Sequence, residues 1–133
     1  NVPGDEVACL LPANPDQSAE IIRHQILDFS NGFSVGVIIS DTFGRPWRMG
    51  QTNVALGISG IAPFVDYTGT QDSQGRQLTS TLIAQVDEIA GAAEIVMRKS
   101  DQVPVAVLRG LDFEKSSTSS GSLLREKSRD LFR

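Results

Sequence analysis

The side chains best suited to chemistry lie in the stretch from Ile38 to Gly60, where an apolar run is followed by Asp41, Thr42, Arg45 and Arg48. A carboxylate is the kind of ligand that Mg²⁺ and Mn²⁺ prefer, and such ions usually keep substrate phosphates in their shell. Guanidinium groups bind phosphate or carboxylate through paired N–H donors. The stretch is therefore typical of a loop that binds an anion and a metal. The alternative is that Asp41 only caps a turn through its side-chain oxygen.

Two strands are predicted on either side of this loop. The run Phe33 to Ile39 is continuous and rich in β-branched residues, the pattern of a buried strand. Ligands of open α/β sheets gather beyond the carboxyl ends of the strands, and Asp41 is expected at such an end. The run Val54 to Ile61 predicts the next strand, although it contains two glycines.

Two helices are predicted to support these strands. Asn14 followed by Pro15 is a favourable N-cap and first residue, and apolar residues spaced by three and four carry the helix to residue 29. A second apolar stripe predicts a helix from Gln77 to Lys99. Gly91 inside it costs about 1 kcal/mol relative to Ala, which indicates a close approach by a neighbouring element.

The remaining segments complete a mixed α/β or α+β prediction. Val7–Leu11 and Pro104–Leu108 predict short strands, the Ser-rich segment 115–122 a loop, and residues 123–133 a short helix. The resulting order is strand, helix, strand, loop, strand, helix, strand. It predicts a mixed sheet with two main helices.

Composition narrows the class of protein. The chain has 133 residues and a formal net charge of −4, which suits one domain but gives no basic face for nucleic acid or an anionic membrane surface. Cys9 is the single cysteine, so an internal disulfide and a CxxC zinc site are excluded. No apolar run reaches the length of about 18 residues that spans a bilayer. We expect a cytoplasmic protein that binds neither nucleic acid nor membrane.

Other titratable residues have simpler interpretations. Asp66 and Asp72 are expected to be turn residues, with a functional role as the alternative. Asp87 and Glu94, seven residues apart on the second helix, are expected on its solvent face. His24 is expected at the surface. With one His and one Cys in the chain and no supporting motif, nucleophilic catalysis by a Ser–His or Cys–His pair is not indicated.

Several unusual strings together resemble the family of coenzyme F-420:L-glutamate ligases. They are ISDTFGRPWRMGQTNVALGISGI, DYTGTQDSQGRQL and DEIAGAAEIVMRKSDQVPVAVLRGLDF, and they occur in the same order as in the family. The opening NVPGDEVACLLPANPDQSA and the closing DLFR are similar to it too. The resemblance covers nearly the whole chain.

This resemblance implies a GTP-dependent ligase. Its substrates would be GTP, L-glutamate and a phospholactyl deazaflavin precursor, and the γ-phosphoryl group would activate a carboxylate for attack by the glutamate amine. It also implies Mg²⁺ or Mn²⁺, K⁺ in some members, and a homodimer. The function would belong to coenzyme F-420 biosynthesis.

The family pattern also assigns roles to residues of this chain. Asp41 would bind a divalent metal and Thr42 a second ion, while Arg45 and Arg48 remain candidates for substrate or phosphate. The residues expected against the nucleotide are Asn1, Met97, Arg98, Lys99 and Ser100. Arg98 departs from the family, which usually has glycine at this position.

The resemblance also implies that residues 1–133 are the C-terminal half of a gamma-glutamyl ligase domain, because the family has about as much chain again before this point. We therefore expect the isolated chain to be inactive. The alternatives are a non-catalytic metal- or nucleotide-binding or interaction module, and a fragment that needs its other half to fold.

Overall fold

Helices alternate with short antiparallel strands in the computed structural model, which describes residues 7–130. Two helices and four strands are formed: α1 (Pro15–Phe29), β1 (Val37–Gly44), β2 (Gln51–Ser59), β3 (Val65–Asp66), β4 (Leu82–Ile83) and α2 (Gln85–Met97). Two 3₁₀ turns follow, at Ser120–Leu123 and Lys127–Arg129. The predicted mixture of helix and strand is confirmed. Within the described residues the strands form two separate two-stranded antiparallel sheets, which makes the fold α+β.

The predicted metal-binding loop is mostly a β-hairpin. β1 pairs with β2 from Val37 opposite Ser59 to Gly44 opposite Gln51. Asp41 therefore lies inside a strand, opposite Val54, and its predicted position beyond a strand end is wrong. The turn signals misled the prediction, because the glycines and proline mark only the tight connection at residues 45–50. That connection is a hairpin turn rather than the rim of a parallel sheet.

A bulge interrupts the hairpin register. Ile39 faces Gly57, but the next residue, Ser40, faces Ala55, so Leu56 is the extra residue of β2. Bulges of this kind bend a strand and change which residues face the core. Before the bulge Asn53 and Ala55 are buried, and beyond it Ile58 is buried.

Helix α1 begins and ends as predicted. The side chain of Asn14 accepts a hydrogen bond from the N–H of Gln17 at 3.0 Å, and Pro15 is the first residue. Gly32, at φ +95°, follows the helix end. The apolar stripe is only partly covered, since Ile22 is 42% exposed and Phe29 is 93% exposed.

Helix α2 is shorter than predicted. Residues 77–84 instead contain a β-bridge from Gln77 to Gln71 and the strand β4, in which Ile83 pairs with Val65 of β3. Leu82, included in the predicted stripe, is half exposed. The close approach predicted at Gly91 is confirmed: a Cβ there would lie 3.3 Å from the hydroxyl of Thr52 on β2.

The core lies between the long hairpin and α2. Its buried apolar residues are Ala55, Ile58, Ile61 and Val86. α1 packs on the other part of β2 because Gly57 has no side chain. A Cβ at Gly57 would lie 2.3 Å from the main chain of Pro15.

Three further predicted elements differ from the structure. Val7–Leu11 and Pro104–Leu108 are not in strands, because neither segment has a strand beside it in the described part of the chain. The predicted C-terminal helix is replaced by the two 3₁₀ turns, and residues 131–133 lie outside the described range. No helix in residues 7–130 has the length and apolar character to cross a membrane.

Candidate functional site

A cleft of about 830 Å³, lined by both polar and apolar residues, joins the hairpin to the end of α2. The hairpin contributes Asp41, Thr42 and Gln51, and the end of α2 with the chain after it contributes the other wall. That wall consists of Met97, Arg98, Lys99, Gln102, Val103 and Pro104. Both predicted metal ligands and three of the predicted nucleotide-binding residues therefore line one cleft.

Asp41 presents an exposed carboxylate to this cleft. Its Oδ1 accepts a hydrogen bond from the N–H of Thr42 at 2.7 Å. Its Oδ2 accepts no hydrogen bond from the residues that the structure describes. This bond joins adjacent residues within β1, so it is not the turn cap expected as the alternative, in which the carboxylate accepts the N–H two residues on. It leaves one carboxylate oxygen available for a cation.

Thr42 and Lys99, which line the cleft, form a connected polar group with the buried Asn53. The Thr42 hydroxyl donates to Asn53 Oδ1 at 3.3 Å. The Lys99 ammonium donates to the Thr42 hydroxyl and, at 3.4 Å, to Asn53 Oδ1. The position predicted for a second ion at Thr42 is therefore already next to a positive charge carried by the chain.

Asn53 was not predicted as a site residue. It is 5% exposed, and its carbonyl oxygen receives hydrogen bonds from two neighbours. The signal in the sequence was an amide directly before the apolar run Val54–Ile58 of the same strand. A buried polar side chain must be hydrogen-bonded, so such a residue marks a polar contact to another element.

The main chain at Arg98 has the conformation of a glycine. Arg98 has φ 51° and ψ 175°, close to the region that glycine alone occupies freely. Its side chain is largely exposed and lies 3.4 Å from Asp101. Ser100 does not line the cleft and donates its hydroxyl to Asp101 at 3.1 Å.

The two arginines of the predicted site lie elsewhere. Arg45 and Arg48 are exposed in the hairpin turn and do not line the cleft. Arg45 donates a hydrogen bond to the carbonyl of Met49 at 2.8 Å, which stabilises the turn. Trp47 in this turn has φ 55°, a left-handed conformation that is uncommon for a bulky residue. Asn1, predicted to contact the nucleotide, lies outside the described residues.

A divalent ion in the cleft would need ligands in addition to the side chains of residues 7–130. Residues 7–130 contain no group of three or more His, Cys, Asp or Glu side chains that could hold a metal. Mg²⁺, however, is often held by one or two carboxylates, with water and substrate phosphates completing its shell. The single accessible oxygen of Asp41 suits that mode.

The other acidic residues have structural partners. Asp66 accepts the N–H of Thr68 at 2.8 Å, and Asp72 accepts the N–H groups of Gln74 and Arg76, which confirms the turn interpretation. The pKa of Asp66 is lowered chiefly by a hydrogen bond to the side chain of Thr68, and to a smaller extent by one to its main chain.

Two predictions about the helix surfaces have different outcomes. Asp87 is not a solvent-face residue, because its partly buried carboxylate accepts the N–H of Ala55 at 2.8 Å and ties α2 to β2. His24 is exposed on α1, as predicted, 3.8 Å from Glu20.

The fold and the cleft define an α+β protein that brings a carboxylate, a hydroxyl and an ammonium group together at one polar surface. The family model described as F420-0:Gamma-glutamyl ligase matches residues 1–110. The chain therefore belongs to the F420-0:gamma-glutamyl ligase family.

Individual relatives agree with this assignment. The chain is 43% identical over 125 residues to the coenzyme F420:L-glutamate ligase of Methanocaldococcus jannaschii, with 93% of this chain and 50% of that protein covered. It is 41% identical over 132 residues to the protein of that name from Methanothermobacter thermautotrophicus, with 97% and 52% covered. The corresponding protein of Methanococcus maripaludis is 40% identical over 124 residues, with 92% and 50% covered. The chain thus spans about half the length of these relatives.

Proposed function

We propose that this chain provides one side of the active site of a coenzyme F420:L-glutamate ligase. The complete protein would join L-glutamate to the deazaflavin coenzyme precursor, with GTP as the phosphoryl donor. The observation that carries the proposal is the single cleft that unites Asp41, Thr42 and Lys99 in a chain of this family.

The proposed reaction explains why a cleft of this charge is needed. The γ-phosphoryl group of GTP moves to a substrate carboxylate, which gives GDP and an acyl phosphate. The glutamate amine then attacks the acyl carbon, the C–O bond to phosphate breaks, and an amide, phosphate and a proton result. Both steps spread negative charge over phosphate oxygens, so fixed cations lower their barriers.

Each wall of the cleft supplies part of that charge compensation. Asp41 would hold Mg²⁺ or Mn²⁺, which when bound neutralises charge on the phosphates. The Lys99 ammonium has three N–H donors, and Thr42 and Asn53 accept two of them. The third donor is therefore available to a phosphate oxygen. Lys99 also supplies a positive charge at Thr42, the residue to which the family resemblance assigns a second ion.

The hairpin turn has a different role in this proposal. Arg45 and Arg48 are exposed in the hairpin turn and outside the lining of the cleft, where they would contact an anionic group of the deazaflavin precursor. We further propose that the complete protein is a cytoplasmic homodimer, in keeping with the acidic composition and the family resemblance.

A chimeric enzyme tests the proposed function. This chain would replace the matched half of the M. jannaschii ligase, and GDP release and glutamate incorporation would be measured with Mg²⁺ or Mn²⁺. We expect turnover that depends on GTP and glutamate, and at least about a tenfold loss in an Asp41→Asn variant. The matched control is Asp28→Asn, the same substitution at an exposed position of α1, which should retain full activity.

The main alternative is a non-catalytic module that binds metal or nucleotide. The absence of a three-carboxylate cluster from residues 7–130 favours it. Calorimetry of Mg²⁺–GTP with the same chimera separates the two functions. GTP binding without glutamate consumption would support the module and contradict the ligase proposal.

A further inference from the structure

The chain exposes far more surface than a self-contained domain of its mass. A folded monomer of 14.3 kDa exposes roughly 6,800 Å² by the general scaling of area with mass. This chain exposes 10615 Å², an excess of about 3,800 Å². If residues 1–6 and 131–133 are given the full area of unfolded chain, about 1,400 Å², an excess of about 2,400 Å² remains.

Part of this excess is apolar and lies beside the cleft. Val105 is 70% exposed, Val107 76% and Leu108 58%. The last turns of α2 expose Ile95 and Val96 by 71% and 63%. Large apolar residues this exposed and this close in sequence are typical of a surface that another polypeptide covers.

The main chain of the same segment has no partner. Pro104–Leu108 is a β-branched run that predicts a strand, yet it belongs to no strand of the structure. Within residues 7–130 its N–H and C=O groups make no hydrogen bond to other main-chain groups. An apolar run with unpaired backbone groups is a ready template for a further strand.

We propose that Val103–Leu108 is a docking strand for polypeptide from the half of the ligase sequence that this chain does not match. The occupant would pair with it edge to edge and cover the side chains of Val105, Val107 and Leu108. Main-chain hydrogen bonds would supply affinity and the alternating side chains would supply specificity, as in other cases of strand addition.

The size of the excess surface area favours the unmatched half of the ligase as the occupant over a second copy of this chain. A typical interface buries about 800 Å² on each partner, and obligate interfaces about 1,000–2,500 Å². The excess here is at or above the upper end of that range. The matched relatives are about twice as long as this chain, so a half of similar size is available to share one core.

Docking at this segment would also complete the cleft. Val103 and Pro104 line it together with Asp41 and Lys99, so a strand added along Val103–Leu108 would form a new wall beside the site. The docking proposal rests on family membership and surface area. It does not depend on GTP or on the ligation reaction.

The test mixes this chain with a polypeptide comprising the unmatched half of the M. jannaschii ligase, without nucleotide. We expect a 1:1 complex by sedimentation. Amide hydrogen exchange at Val105–Leu108 should slow at least about tenfold relative to the free chain. Because no substrate is present, complex formation can succeed even if the proposed reaction is wrong.

A pair of variants at one position makes the test specific. Val107→Pro removes an N–H donor and should weaken the complex at least about tenfold, whereas Val107→Thr keeps a β-branched strand former and should bind nearly as well. Circular dichroism of both variants checks that the fold is intact. Absence of the complex, equal binding by both variants, or a homodimer that protects the same amides would overturn the proposal.

Discussion

The carboxylate of Asp16 accepts hydrogen bonds from both the N–H and the hydroxyl of Ser120, 104 residues away in sequence, each at 3.1 Å. It also accepts the N–H of Ile58 at 2.8 Å. One side chain in the first turn of α1 therefore connects that helix to β2 and to the Ser-rich segment. This is a long-range connection made by a residue that the sequence pattern identified only as part of a helix start.

Replacing Asp16 should destabilise the chain substantially. Asp16→Ala leaves the N–H of Ile58 without its acceptor and should lower the free energy of unfolding by about 2 kcal/mol, because hydrogen bonds to a charged group contribute about 1.5–3 kcal/mol. Urea unfolding measures the change. Glu20→Ala, at an exposed site of the same helix, should change it by less than about 0.5 kcal/mol. Equal losses in both variants would contradict the assigned role.

Gly57 should tolerate no side chain. Gly57→Ala would place a Cβ 2.3 Å from the carbonyl group of Pro15, so α1 would have to move away from β2. We expect a loss of about 1–3 kcal/mol in urea unfolding. Gly44→Ala is the control, since a Cβ there meets nothing within 4 Å. A near-neutral Gly57→Ala would show that α1 and β2 are not packed as described.

Arg98→Gly should stabilise the protein. The left-handed backbone at Arg98 costs about 1–3 kcal/mol for a residue with a Cβ, and glycine removes that cost at an entropic penalty of about 0.5–1 kcal/mol. The exposed contact with Asp101 contributes little. We expect a net gain of about 1 kcal/mol in urea unfolding. Arg125→Gly, at an exposed position without a positive φ, should give no gain, and a gain of equal size there would contradict the strain argument.

Asp66 should make stability fall in acid. Its hydrogen bonds to Thr68 lower the pKa in the folded chain below the unfolded value of about 3.9. Its stabilising contribution is therefore complete above about pH 4 and is lost as the pH falls through the folded pKa. Urea unfolding between pH 7 and pH 3 should show the wild type losing its advantage over Asp66→Asn in that acid range. A difference between the two proteins that stays constant with pH would contradict this prediction.

Lys99→Met should create a requirement for a monovalent cation in the chimeric enzyme. The ammonium of Lys99 contacts the oxygens of Thr42 and Asn53, and its loss leaves these two oxygens without a neighbouring positive charge. We expect GTP affinity to fall about tenfold and to recover in part with added K⁺. Lys127→Met, on the second 3₁₀ turn, should change neither quantity. A loss that K⁺ does not reverse would contradict the proposed role of the ammonium group.

The local elements of the fold were predictable where a few neighbouring residues determine the structure. The capping of α1 by Asn14 and Pro15 depends on contacts within one helical turn, and the structure shows that helix over the predicted residues. The start of α2 was not predictable from the apolar stripe, since Leu82 continues the spacing but pairs in β4. Pairing partners far along the chain decided that boundary.

The candidate site could be predicted only in part, because some of its contacts also join residues far apart in the sequence. The family pattern assigned Asp41, Thr42 and Lys99, and the structure places them at one cleft. The hydrogen bonds from Thr42 and Lys99 to Asn53 were not predicted, because they link residues brought together only by the packing of α2 on the hairpin. The unpaired run Pro104–Leu108 shows the converse: a strand propensity is expressed only where a partner strand exists.

The bulge at Leu56 lets two buried residues share one face of the hairpin. Asn53 and Ile58 are five positions apart, and in a regular strand residues separated by an odd number of positions face opposite sides. If Leu56 were instead paired regularly with β1, either the amide that holds Lys99 or a residue of the core would turn toward solvent. Deleting Leu56 would leave the two residues four positions apart, so both would still face the core.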